Sequence, residues 1–346
     1  MLFRPGLILA AALAAGGCRC NTPLSAAELA GIRSALVLVN ESSGTAQVHR
    51  FSPDAGTEPL TAGPRNHFPL AAWRGGVVIV ASEGEGDFHL EEALWLGPDG
   101  GSTSLLAASR RARSVVPLPD ALLMESGAEG FSEIVRVEPG QVTPLTSNPE
   151  GNFEPQALPG GDVIFVSSRD GNPELYRRPA DGGTQQRLTQ DPAEDLAPRV
   201  SPDGRTVAFL SSRRGSDELF LMPTAGGAAR LLVTAPLAAG PAQGTKREAV
   251  QRDHSFSPDA KSLWFTARTG AGRLRIWRAD VATGTATAFT DGAFDDDQPK
   301  LSADGRFVAW VSTRDGNPEL YVARTDGSGV TRLTASPAAD WLPLWR

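Results

Sequence analysis

The stretch Ser168-Arg169-Asp170-Gly171-Asn172-Pro173-Glu174-Leu175-Tyr176 decides the fold, because the chain writes it again. Thr313-Arg314-Asp315-Gly316-Asn317-Pro318-Glu319-Leu320-Tyr321 is the second copy, and Ser212–Phe220 (Ser-Arg-Arg-Gly-Ser-Asp-Glu-Leu-Phe) is a looser third. Arg169 and Arg213 are 44 residues apart, and Arg213 and Arg314 are 101 apart, which is two periods plus an insertion. A period of about 40–45 residues with strand-like content is the spacing of propeller blades.

Outward from these copies the same grammar continues. Ala197–Val233 is the best-written unit. Its inner strand is followed by the turn Pro202-Asp203-Gly204-Arg205 and the apolar strand Thr206–Leu210. A turn at Arg213–Asp217, a third strand at Glu218–Met222 and an outer strand near Ala229–Val233 complete it. Proline and Asp-Gly supply turn dihedrals, and β-branched and aromatic residues fill the strands. Ser-Pro-Asp-Gly at Ser201 returns as Ser-Pro-Asp-Ala at Ser257 and Ser-Ala-Asp-Gly at Ser302, and outer strands tend to end in Leu-Thr, as at Leu188-Thr189 and Leu333-Thr334. Blades are expected at about 67–110, 111–148, 149–192, 193–236, 250–292 and 293–336.

Both ends are incomplete. Ala35–Val39, Ala46–Arg50 and Glu58–Thr61 supply three strands without an inner one, and Asp340–Arg346 supplies only an inner strand. Joined, they make one more blade and seal the ring, removing the open edges of a linear array. The expected fold is all-β, a seven-bladed β-propeller with the termini sharing the closing blade. The degenerate sequence before Asn152 leaves six blades as the alternative.

The motifs Ser-Pro-Asp-Gly-Arg, Ser-x-Arg-x-Gly-x-x-Glu-Leu-(Tyr/Phe) and Gly-Gly…Leu-Thr together resemble the PD40 repeat of the TolB-like β-propellers, strongly over 153–346 and weakly over 32–150. The resemblance implies a bacterial envelope protein that binds another protein. It departs from TolB in lacking room for a domain ahead of the propeller.

The chain begins as an export signal does. Met1–Arg4 is short and positive, Leu7–Ala15 is apolar, and Ala15-Gly16-Gly17-Cys18 resembles a bacterial lipobox. Residues 1–17 are therefore expected to be a lipoprotein signal peptide, 18–32 an anchor and linker, and 33–346 the propeller. The resemblance implies cleavage before Cys18 and lipid on that residue. By similarity to sorting rules, Arg19 after it points to the outer membrane, with the periplasmic side favoured over the cell surface. Both cysteines, Cys18 and Cys20, lie in this segment, so the propeller carries neither a disulfide nor a thiolate metal site. Net charge is -7, which argues against nucleic acid as a partner.

Two polar patterns recur. Asn66, Asn152, Asp195, Asp296 and Asp340 each stand three residues ahead of a proline, where they are expected to accept backbone N–H bonds at the corner between blades. Arg169, Arg213 and Arg314 stand in turns that share a face of the disc with the inter-blade links. That face also collects Asp295, Asp296, Asp297 and the long link 235–251 with Lys246 and Arg247, and it is the candidate binding face. No cofactor is expected, calcium at the aspartate cluster being the one alternative. Trp264, Trp277, Trp310, Trp341 and Trp345 are read as packing between blades rather than as a carbohydrate platform.

Gly-x-Ser-x-Gly, Walker and dinucleotide motifs are absent. His49, His67, His89 and His254 fall in four separate segments, and only His254 is near an inner strand, where it is expected to be half-exposed. The sequence therefore reads as a non-catalytic, envelope-anchored interaction scaffold and not as an enzyme. The competing reading is a propeller-type polysaccharide lyase or glycan hydrolase with His254 and Asp297 at the channel mouth.

Overall fold

Seven four-stranded antiparallel sheets surround a central channel in the computed structural model, which describes residues 22–51, 56–83, 90–106, 111–128, 131–233, 253–268 and 272–346. Blades 1 to 6 are continuous in sequence and start at Asn66, Arg111, Asn152, Asp195, Ser255 and Asp296. Blade 7 is assembled from both ends in the order Asp340–Trp345, Leu36–Asn40, Gln47–Phe51, Thr57–Pro59. The C-terminal strand pairs antiparallel with Leu36–Asn40, Asp340 opposite Asn40 and Leu36 opposite Trp345. The split closing blade and the count of seven are as the repeats indicated, and six is excluded.

Second strands are the most buried element of each blade. Val163–Ser167 and Phe307–Ser312 are buried at every position. This is what a strand covered on both faces by neighbouring sheets requires, and it explains their continuous apolar writing. The core is a series of inter-blade layers. Phe209 and Leu175 fill one between blades 3 and 4, and Trp264, Ile276, Val308 and Trp310 fill another between blades 5 and 6. Trp264 and Trp310 are both 1% exposed. Trp345 donates its indole N–H to the Lys300 carbonyl at 2.9 Å, and the Trp341 ring lies 5.8 Å from that of Phe68, tilted by 57°. These tryptophans pack blades together, as expected.

One element was not anticipated. The segment read as linker contains an α-helix, α1 (Ala26–Ala35), so the first strand starts at Leu36. A capping box starts the helix. The Ser25 hydroxyl accepts from the Glu28 N–H at 3.2 Å, and the Glu28 carboxylate takes the Ser25 N–H at 2.8 Å. Ser25 and Glu28 are the sequence signal that a reading dominated by strand periods passes over.

Alternating strand direction sorts the connections onto two faces. Turns between second and third strands and the links between blades lie on one face, the link face. Turns between first and second and between third and fourth strands lie on the other, the turn face. Helix α1 lies on the turn face, beside Ser302–Phe307 and Trp345.

Candidate functional site

Inner strands build the channel, and among the described residues those of every blade but blade 5 carry a bulge. Register shifts fall between Phe153 and Gln156, Leu196 and Arg199, and Asp297 and Lys300. Inside them Glu154, Ala197 and Gln298 adopt left-handed backbone, with φ of 52°, 52° and 54°, and Leu342 does so at 47°. Such a residue costs about 1–2 kcal/mol without glycine. Each freed bulge N–H is satisfied by a side chain from the preceding blade. Ala197 N–H donates to Glu154 Oε2 at 2.7 Å, Gln298 N–H to Asp253 Oδ2 at 2.9 Å, and Leu342 N–H to Gln298 Oε1 at 3.0 Å. Glu154 N–H reaches Glu125 Oε2 at 3.3 Å. This belt ties blade 2 to 3, 3 to 4, 5 to 6 and 6 to 7 along the channel. Sequence reasoning missed it because the shared feature is a backbone amide, while the side chains at the position vary.

The corner arginines have a local task. Arg314 donates to Asp296 Oδ1 at 3.0 Å and lies 4.4 Å from the Tyr321 ring centroid. Arg213 does the same with Asp195 at 2.9 Å and Phe220 at 4.6 Å, and Arg169 with Asn152 at 3.1 Å and Tyr176 at 4.5 Å. Asp195 and Asp296 are fully buried, so their charges need a cation beside them. The expected backbone acceptance at these corners holds for Asn66, which takes the Ala46 N–H at 2.9 Å. At Asn152, Asp195, Asp296 and Asp340 the side-chain oxygen takes a side-chain donor instead. The Leu-Thr signature is explained as well. Thr334 Oγ1 donates to the buried Glu319 at 2.5 Å and accepts the Leu320 N–H at 3.0 Å, and Thr189 repeats this with Glu174 and Leu175.

The aspartate cluster divides, because successive side chains on a strand point to opposite faces. Asp295 accepts the Leu274 N–H at 2.8 Å, and Asp296 turns to Arg314. Asp297 is half-buried beside Asp253 and has neither a hydrogen bond nor an ion pair among the described residues. Burial first, and then the carboxylates of Asp253, Asp295 and Asp296, push Asp297 up to about 7. Asp253 is held by the Thr266 hydroxyl at 2.6 Å and by the Gln298 N–H. Further along the same inner strand is Lys300, whose ammonium is pushed down by burial and by Arg199 and drawn the other way by Asp253. Blades 3, 4 and 7 place Phe153, Leu196 and Trp341 at the position of Asp297. Blade 1 has His67 and blade 2 Arg113 there, so the repeat does not demand a carboxylate at this position. Among the described residues no three His, Cys, Asp or Glu side chains are grouped as a metal ion would need, so the calcium expectation gains no geometric support. His254 is 1% exposed rather than half-exposed; it takes the place of the proline of other blades and is shut off from the mouth. Lys246, Arg247, His89, Cys18 and Cys20 lie outside the described residues.

Comparison with known proteins fits this architecture. The TolB β-propeller domain family (PD40) matches residues 129–236. An Agrobacterium fabrum protein is 36% identical over 90 residues, covering 26% of this chain and 30% of its own length. The TolB homologue of Chlorobium luteolum is 25% identical over 173 residues, 50% of this chain and 36% of its own. The matches thus span about a third of these relatives. Among solved structures, TolB from Acinetobacter baumannii aligns over 91% of this chain and 67% of its own, with a TM-score of 0.54 and 18% identity. A puromycin-hydrolyzing peptidase of Mycobacterium tuberculosis aligns over 90% and 55% (TM-score 0.64, 18% identity), and an oligogalacturonate lyase of Vibrio parahaemolyticus over 84% and 86% (TM-score 0.61, 11% identity).

Fold and repeats together define a closed β-propeller of seven blades. More particularly, the propeller is TolB-like, and residues 129–236 match the PD40 TolB β-propeller domain.

The expectation that the chain is not an enzyme is corrected by these neighbours. Propellers of this shape include a peptidase and a lyase, and the lyase match covers 86% of that protein, so the ring itself is compatible with catalysis. No helix among the described residues is long and apolar enough to cross a membrane.

Proposed function

We propose that this propeller is an envelope protein, tethered through Cys18, whose link face recognises a protein partner by a basic side chain inserted at the channel mouth beside Asp297 and Asp253. One observation carries the reading. Asp297 is a half-buried carboxyl where blades 3, 4 and 7 place apolar side chains, and among the described residues no cation is paired with it. A lysine or arginine from a partner would form a charge-assisted contact there and return the carboxyl to its ionised form. The rigid ring holds the mouth preorganised, which limits the ordering cost of binding. The TolB likeness supports a protein partner and an envelope setting. The test is retention of envelope proteins by immobilised chain against its Asp297→Lys variant, with Asp304→Lys on the opposite face as control. Loss of a retained protein with Asp297→Lys alone supports the reading, and equal retention by all three overturns it.

A second reading has its own observation. A carboxyl that titrates near 7 can give or take a proton at neutral pH, and an amine lowered by burial stands further along the channel. Those are the groups a β-elimination needs, one to take the proton next to a uronate carboxylate and one to protonate the departing glycosidic oxygen as the double bond forms. Incubation with oligogalacturonate, read by the ultraviolet absorbance of an unsaturated product, decides. Activity lost in Asp297→Asn supports a lyase, and no product with the unaltered chain removes it.

A further inference from the structure

Helix α1 and the residues ahead of it are clasped to one face of the disc. Leu24 is 6% exposed and packs in the same cluster as Phe307, Leu320, Val322 and Leu333. The fit is close enough that a Cβ on Gly329 would lie 3.0 Å from the Leu24 side chain. Arg324 donates to both Glu28 oxygens, at 2.9 and 3.1 Å, and to the Thr22 carbonyl at 3.0 Å. Behind the helix, Ile32 is 2% exposed, and Arg346 donates its N–H to the Ala35 carbonyl at 2.7 Å and its guanidinium to the Ser34 carbonyl at 2.8 Å. Arg324 and Gly329 bound the turn between third and fourth strands of blade 6, so the whole clasp is on the turn face.

Asp253 and Asp297 are at the other end of the inner strands. An inner strand of six residues, such as Asp296–Leu301, spans about 20 Å. Between Cys18 and Thr22 there are four peptide steps, which reach at most about 14 Å. A lipid on Cys18 would therefore bring the turn face of blades 6 and 7 close to the headgroups. The turns of that face alternate in charge, Asp304 beside Arg306, Asp259 beside Lys261 and Asp203 beside Arg205. They supply no net positive patch, so orientation is set by the clasp and the short tether rather than by attraction to anionic lipid.

We infer that the α1 clasp orients the propeller on its anchor, with the turn face of blades 6 and 7 against the lipid surface and the link face, with Asp253 and Asp297, directed away from it. This rests on the anchor reading above. The consequence is that the partner approaches from the aqueous side, and that a second membrane-bound protein meets the channel mouth only if it reaches over the disc.

The experiment uses the processed, lipid-bearing full chain in phosphatidylethanolamine–phosphatidylglycerol vesicles, with Cys20→Ser to leave one labelling position. Fluorophores are attached to Ala303→Cys on the turn face or Arg214→Cys on the link face, and energy transfer is measured to an acceptor on lipid headgroups. Transfer from Ala303→Cys at least twofold above that from Arg214→Cys is expected. Adding Arg324→Ala should narrow the difference while the protein still floats with the vesicles. Chain that does not float removes the anchor reading and the orientation with it. Floated chain with equal or reversed transfer overturns the orientation alone.

Discussion

Blade 6 and the closing blade solve the same corner differently. In blade 6, Asp296 faces Arg314, which stacks on Tyr321, and Glu319 takes Arg332 and Thr334. Register places Ser42 of blade 7 where blade 6 has Arg314, His49 where it has Tyr321, and Gln47 where it has Glu319. Asp340, the counterpart of Asp296, accepts the Asn40 amide at 2.6 Å and lies near Thr334 and Glu319 of blade 6. Each aspartate leaves its Oδ2 without a hydrogen bond; what differs is the cation. Blade 6, made from one continuous segment, is clamped by charge at this corner. The blade made from two chain ends relies on strand pairing, on its tryptophans and on the neighbouring helix.

The largest effect should come from removing that pairing. Deletion of 340–346 strips blade 7 of its inner strand and exposes an unpaired edge in Leu36–Asn40, which is buried throughout. We expect loss of more than about 5 kcal/mol, comparable to the whole stability of many domains, with aggregation seen by size-exclusion chromatography and no cooperative melt. A monomeric truncated chain with unchanged melting would break the idea that the closing blade depends on this strand. Next in size is Arg314→Ala, which leaves the fully buried Asp296 without its guanidinium. Removing one partner of such a pair costs about 3–5 kcal/mol, measured by denaturant unfolding.

What the sequence made legible follows from how each feature is encoded. Second strands and turns of blades 3 to 6 are written in side chains, as at Val163–Ser167 and Pro202–Arg205, and the reading of them matched the structure. The split blade was legible because Asp340–Trp345 repeats the inner-strand pattern that the three N-terminal strands lack. Helix α1 escaped because its signal is two residues, Ser25 and Glu28, in a short segment of small side chains. The channel belt escaped because it is made by bulge amides, and Ala197 and Leu342 announce nothing in sequence. The turn arginines were visible, but a one-dimensional pattern cannot show that Phe220 or Tyr321 lies beneath the guanidinium. Asp297 was visible only as one of three adjacent aspartates. Its distinct environment depends on Asp253, which is 44 residues away and on the preceding blade.

A smaller effect concerns pH. Burial, with the Glu319 carboxylate nearby, raises Asp340 from 3.8 to about 6, against the pull of Asn40 and Thr334. Between those values the folded chain holds a proton that the unfolded chain has released. Stability from this group is therefore complete below pH 4 and is lost as pH rises through 6, by about 2–3 kcal/mol. Asp340→Asn should gain about 2 kcal/mol at pH 8 and leave stability at pH 4 nearly unchanged, read from urea midpoints across that range. Equal shifts at both pH values would mean that Asp340 is already ionised at little cost, and the contrast with blade 6 would lose its electrostatic basis.

The smallest expected effect sharpens the comparison most. Ser42→Arg writes the blade 6 residue into the closing blade. If absence of a cation is what raises Asp340, an arginine there should lower its titration by about 1–3 units and flatten the pH slope of stability between 5 and 7. The gain at pH 8 should be only about 1 kcal/mol. Ser42 would give up the hydrogen bond its hydroxyl donates to Asn40, and His49, itself lowered in pKa by burial, offers the guanidinium a smaller ring than Tyr321. Titration of Asp340 by carbon-13 chemical shift in the two chains gives the answer directly. An unchanged midpoint would show that the guanidinium cannot reach the carboxylate, and that the seam excludes a cation by shape as well as by sequence.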